Sequence, residues 1–245
     1  MNSNIASHVL QYAGVLTEAA LLYYLARIGE WGKRQGQALY LLSLLAAALP
    51  RAFTLHSYGL NSPQYFYVYW GTDLLLVLSA FLLVCFFFRR ACRNEVKMWG
   101  FARLLLAFVF VLVVGVSVLV LSHKLSALFP YFIFEFNQNL YFACLVLNTM
   151  LYLLLVQIES TDDQLGLLVC GVGIQFAGPS ATLALVHLTE AQRFAQLLNS
   201  LAIPLCTLAM LLVWAYALVR VKDRGPKGAR PEKAVLAEVT ADSNF

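Results

Sequence analysis

Four ionisable side chains interrupt stretches that are otherwise apolar: Glu18, Arg51, Asp73 and Glu135. One guanidinium among three carboxylates is a set that recognises charge. A charged group at the centre of a hydrocarbon layer costs at least about 2.5–3.5 kcal/mol, so such groups pair with one another or line a polar cavity. Arg51 and Asp73 are the natural pair, because only the short connection Tyr58–Ser62 separates their two apolar runs. That spacing makes the runs antiparallel neighbours. Glu18, Glu135 and Gln138 are further acceptors for Arg51, and Gln175 adds a polar group near mid-depth. The expected site is a polar pocket around Arg51 for a small anionic or zwitterionic ligand. Its competing reading is a structural ion pair that fixes helix register.

The elements that must position these groups follow from hydropathy. The chain has 245 residues, 61% hydrophobic and only 12% charged. A soluble domain carries about twice that charged fraction. Seven runs reach the roughly 20 apolar residues that cross a bilayer. They lie near Ile5–Arg27, Gln37–His56, Tyr65–Phe88, Trp99–Ser122, Phe134–Ile158, Leu165–His187 and Phe194–Val219. Each is continuously apolar and about twice the length of a barrel strand, which excludes a transmembrane β-barrel. The predicted fold is all-α: a polytopic seven-transmembrane-helix bundle over residues 1–221. Residues 222–245, rich in Gly, Pro and charge, read as a disordered cytoplasmic tail. Met1–Ser7 has no basic region and Glu18 breaks the first run, so that run reads as a retained helix, not a cleaved signal peptide.

Basic residues set the orientation. Arg27, Lys33 and Arg34, then Arg89, Arg90, Arg93, Lys97 and Arg103, then the group from Arg220 to Lys233 all fall on one side. This predicts the N-terminus outside and the C-terminus in the cytoplasm, in a plasma or bacterial inner membrane. Glu159–Gln164 is the exception, an acidic connection on the basic side. The net charge of +4 sits beside the spans, where anionic lipid accounts for it, and implies no nucleic acid.

Rise per residue places Glu18 about 14 Å, Arg51 about 20 Å, Asp73 about 24 Å and Glu135 about 30 Å from the inner face. Pro50, Pro179 and Pro204 interrupt helices, as in cavity-lining segments or ordinary kinks. Gly173, Ala177 and Ala181 make a small-residue face in the sixth span. His8, His56, His123 and His187 all fall at outer helix ends but lack ligand spacing, so no metal and no cofactor is expected. The five cysteines read as packing residues.

No Gly-x-Ser-x-Gly, His-Glu-x-x-His or phosphate-binding glycine loop is present, and no catalytic residue is expected. The last run lacks the lysine of a retinal protein, and Phe88-Arg89-Arg90 lacks the acidic residue of the usual G-protein-coupled receptor signature. A parallel three-plus-one-plus-three repeat, as in SWEET-type sugar carriers, places Pro50 and Pro179 at similar depths. That family's Pro-Gln signature is absent from spans one and five. In Pro50-Arg51, in Tyr65-Phe-Tyr-Val-Tyr-Trp70 followed by Asp73, and in Glu135 opening the fifth span, the chain resembles small bacterial seven-helix integral membrane proteins. The resemblance implies the fold and no activity. The expected function is a sensor or ligand-binding module that needs a membrane or signalling partner for output. The alternatives are a small-solute transporter with broken helices and a structural or partner-binding membrane subunit.

Overall fold

The computed structural model describes residues 2–28, 31–59, 62–93, 96–122, 128–158, 162–188 and 192–223. The tail expected to be disordered lies outside them from residue 224 onward, and α7 continues through Lys222 to Asp223. Among the described residues there are seven helices: α1 (Asn2–Ile28), α2 (Trp31–Tyr58), α3 (Pro63–Ala91), α4 (Val96–Ser122), α5 (Leu128–Gln157), α6 (Asp163–Leu188) and α7 (Gln192–Asp223). Five of them, α2, α3, α4, α5 and α7, are long and apolar enough to cross a membrane. The described apolar part of α6, Asp163–Gly178, is shorter.

Large apolar side chains cover the outside of the helices, including Leu16, Phe53, Phe101, Phe108, Leu119 and Leu153. Lipid is the solvent that tolerates such a surface. Hydroxyls on the helices satisfy themselves accordingly: Thr17, Thr54, Thr149 and Thr207 each donate to the carbonyl four residues back. This back-bonding needs no water.

Helix contacts close a cycle, α1–α2–α3–α5–α6–α7 and back to α1. α4 stands aside, packed mainly on α5. The cycle repeats itself across α4. The two most extensive seams are α2–α3 and α6–α7, the second and third helices of each triple. Close approach explains both. A Cβ added to Gly36 would come 2.8 Å from Phe86 of α3, and one added to Gly171 would come 2.9 Å from Trp214 of α7. A glycine on one helix thus receives an aromatic ring from the next, and missing side chains let helices approach in lipid. Trp214 is fully buried and donates its indole N–H to Leu168 O at 3.2 Å.

The small-residue face expected on α6 is placed differently. Ala177 and Ala181 are exposed. The seam to α7 is made by Gly171 and by Gly178, where an added Cβ would meet Cys206 Sγ at 2.8 Å. These two glycines are two turns apart, so they share a face, which four-residue spacing from Gly173 does not reach. Gly173 instead lies against Asn148 of α5.

The acidic connection before α6 also finds its reason. Asp162 accepts the Leu165 N–H at 3.0 Å, so it caps α6. Arg90, at the end of α3, grips both Asp162 oxygens at 2.9 and 3.0 Å and Gln164 Oε1 at 3.0 Å. The carboxylate therefore serves as cap and cross-helix anchor at once.

Candidate functional site

The α2–α3 hairpin sets the register of the two principal charges. Gly59 ends α2 with φ +77°, a left-handed conformation that costs glycine no Cβ clash. Its N–H bonds Leu55 O at 3.1 Å. Ser62 Oγ donates to Gly59 O at 3.0 Å and accepts the Tyr65 N–H at 3.1 Å, capping α3, and Pro63 opens the helix. From this connection Arg51 is about 12 Å down α2 and Asp73 about 15 Å down α3, less than one turn apart.

The two side chains meet. Arg51 Nη2 lies 3.4 Å from Asp73 Oδ1. The same nitrogen donates to Tyr69 O at 3.2 Å, and Nε donates to Thr72 Oγ1 at 2.6 Å. Thr72 passes its own proton to Val68 O at 2.7 Å. The guanidinium carbon sits 4.5 Å from the Tyr69 ring centroid, within cation–π range. Asp73 Oδ2 accepts from Asn137 Nδ2 at 2.6 Å, which brings α5 into the cluster. Arg51 and Asp73 keep about a quarter of their side-chain surface accessible, 24% and 22%. Nη1 of Arg51 makes no hydrogen bond among the described residues, so one edge of the fork stays open.

The other expected members are placed elsewhere. Gln138 does not reach the ion pair. The contact to Asp73 comes from Asn137, one position earlier, because the face of α5 turned inward runs through Ile133, Asn137, Leu140, Cys144, Leu147 and Leu151. One residue along a helix is a 100° turn, and it carries Gln138 off that face. Glu135 is half-buried two positions before Asn137 and, among the described residues, forms no ion pair with Arg51. Glu18 is buried, yet it is not an acceptor for Arg51. α1 packs on α2 and α7, not on α3 or α5, and Glu18 acts on Tyr40 of α2. Tyr40 is eleven residues from Arg51, about 16 Å along the helix.

Gln175 belongs to this second cluster. From α6 its amide is within electrostatic reach of the Tyr40 phenol. Tyr141 of α5 is within electrostatic reach of Asp73, Arg51 and Tyr40. The second cluster is less fully hydrogen-bonded. Glu18 Oε2 and Gln175 Oε1 are buried without a hydrogen-bond partner.

α2 therefore reads inside-out. Its buried face carries Arg34, Gln37, Tyr40, Ser43 and Thr54, and its exposed face carries Leu39, Leu42, Leu49 and Phe53. Ser43 also bonds Ser79 of α3 at 2.7 Å. A helix with its polar stripe turned inward and leucines outward marks a polar interior in an apolar solvent.

Among the described residues no group of three His, Cys, Asp or Glu is set to hold a metal ion, and all five cysteines are free. His56 is exposed at the end of α2. The side chains of His8 and His187, and all of His123, lie outside the described residues. Comparison with protein-family models, with curated proteins and with solved structures gives no match.

Proposed function

We propose that this chain is a multi-pass membrane protein with seven spans, its N-terminus outside and its C-terminus in the cytoplasm of a plasma or bacterial inner membrane. We further propose that it acts as a sensor or ligand-binding module for a small anionic or zwitterionic molecule. The observation that carries the reading is Arg51. Three of its donors are fixed by Asp73, Tyr69 and Thr72, and Nη1 is left open at an accessible edge. A carboxylate or phosphate oxygen is the complement of that edge. The partly accessible Asp73 beside it is the complement of an ammonium group. With output carried by a partner, the ligand works by stabilising one helix arrangement.

Thermal unfolding of the detergent-purified protein with acetate, inorganic phosphate and glycine tests this. The midpoint rises with at least one of the three, and Arg51→Lys loses that rise, because lysine has no planar fork. No shift with any of them, or a shift kept in Arg51→Lys, contradicts it.

Small-solute transport is the second reading, favoured by the inward polar stripe of α2 and by Pro50 and Pro204 inside their helices. Glycine uptake into proteoliposomes that is lost in Asp73→Asn is its signature.

A further inference from the structure

The face of α3 that carries Asp73 changes character along its length. Phe66, Tyr69, Asp73, Val77, Ala80 and Val84 fall on that face at helical spacing. Val77, Ala80 and Val84 are fully buried, whereas Tyr69 is 38% and Phe66 41% exposed. The face is therefore sealed on one side of Asp73 and open on the other, toward the α2–α3 connection. The open part is aromatic. Tyr69 meets Trp70 with ring centroids 5.7 Å apart and planes at 88°. Tyr65 lies 6.2 Å from Tyr69, and Phe66 lies 5.9 Å from Trp70. Asp73 follows Tyr69 by four residues and Trp70 by three, so it lies one turn from the corner of these two rings. Side chains on a helix lean back toward its N-terminus, which brings the carboxylate toward that corner. Tyr69 already supports one cation, since the Arg51 guanidinium carbon sits 4.5 Å from its ring centroid.

This neighbourhood offers a cation charge and ring faces but few free acceptors. Tyr69 O accepts from Arg51 Nη2 at 3.2 Å and from Thr72 Oγ1 at 2.9 Å. Thr72 Oγ1 accepts from Arg51 Nε at 2.6 Å, and Asp73 Oδ2 accepts from Asn137 Nδ2 at 2.6 Å. Asp73 Oδ1 is the least engaged oxygen, in a long 3.4 Å contact with Arg51. A primary ammonium brings three N–H donors, and each needs an oxygen. A quaternary ammonium brings the same charge with no N–H, and a carboxylate with aromatic faces is enough to hold it.

We propose that the Arg51 site takes a betaine-type zwitterion. Its carboxylate or phosphate meets the open Nη1 of Arg51, and its quaternary ammonium sits beside Asp73 against the Tyr69–Trp70 corner. The same chemistry occurs in a free solute and in a phosphocholine lipid headgroup. The inference rests on the reading of Arg51 as the ligand anchor and adds the aromatic corner as the determinant of specificity.

The test is thermal unfolding of the full-length protein in a maltoside detergent, titrated with two series of increasing N-methylation. One runs from glycine through N-methylglycine and N,N-dimethylglycine to glycine betaine. The other runs from phosphatidylethanolamine to phosphatidylcholine in mixed micelles. Each rise in midpoint gives a half-saturating concentration, which should fall about tenfold from the unmethylated to the fully methylated member. That trend in the first series identifies a free solute, and in the second alone a headgroup. Trp70→Leu should bring the two ends of the series to within about twofold while keeping the response to the unmethylated member. Should Trp70→Leu fail to fold, Trp70→Phe keeps a ring of weaker attraction and should lessen the preference. A response that is equal at every degree of methylation, or that weakens with it, overturns the inference and leaves Arg51 as an anchor. So does a methylation preference unchanged in both Trp70 variants. No response in either series, or one that survives Arg51→Lys, removes the anchor itself and the inference with it.

Discussion

Two polar clusters lie along one helix, and they are built in opposite ways. Around Arg51 every charge has company: a carboxylate, a carbonyl, a hydroxyl and an aromatic face on the cation, and an amide on the carboxylate. Toward Glu18 the polar groups are less fully matched, and Glu18 Oε2 and Gln175 Oε1 are buried without a hydrogen-bond partner. Three elements, α2, α3 and α5, lock the first cluster. The second is a set of buried polar side chains, Glu18 on α1, Gln37 on α2 and Gln175 on α6. Paired charges hold helices in register, whereas buried polar oxygens without partners are costly.

Substitutions sharpen or break this contrast, and the largest effect is expected at the Arg51 cluster. Asp73→Ala strands Arg51 and leaves the Asn137 amide without its acceptor. It should lower unfolding stability in detergent by about 2–4 kcal/mol, somewhat under the cost of a fully buried broken pair because both partners are partly accessible. Next is the α6–α7 seam. Gly171→Ala drives a methyl into Trp214 and should cost about 1–3 kcal/mol, read by the same denaturation. Arg90→Ala loses a bidentate grip at a partly exposed site, where about 1 kcal/mol is expected, and limited proteolysis near residue 162 should quicken. Ser43→Ala removes one hydroxyl bridge between α2 and α3, worth about 0.6 kcal/mol by the average for such bonds in membranes. Glu18→Gln should be the smallest loss or a gain, because it replaces a buried carboxylate with an unmet oxygen by a neutral side chain of the same size. A loss as large as that of Asp73→Ala would erase the distinction between the clusters.

The sequence made the Arg51–Asp73 pair legible because two signals coincide there: charges inside apolar runs, and a connection too short for anything but a hairpin. The axial match of Arg51 with Asp73 was legible for the same reason, since rise per residue is fixed. Lateral neighbours were not. Nothing in the apolar runs says that α1 touches α2 and α7 and misses α3, and this is why Glu18 reaches Tyr40 and not Arg51. Helical phase decided Asn137 over Gln138. The signal was present, since Asn137 shares the stripe of Leu140, Cys144, Leu147 and Leu151, but it is weak where almost every residue is apolar. Gly36 and Gly171 were equally silent, because a glycine shows its use only when a ring from another helix fills the space it leaves. The basic asymmetry at the helix ends read clearly, and its acidic exception, Asp162, became intelligible only once Arg90 was seen to hold it.

The central claim is that Arg51 and Asp73 act as one unit inside the helix cycle. A double-mutant cycle measures this most directly: unfolding free energies of the wild type, Arg51→Ala, Asp73→Ala and the double variant in one detergent. The account predicts an interaction energy above about 1 kcal/mol, with the double variant more stable than the sum of the single losses implies. Losses that simply add would show two charges that stand near each other without depending on each other, and would contradict it.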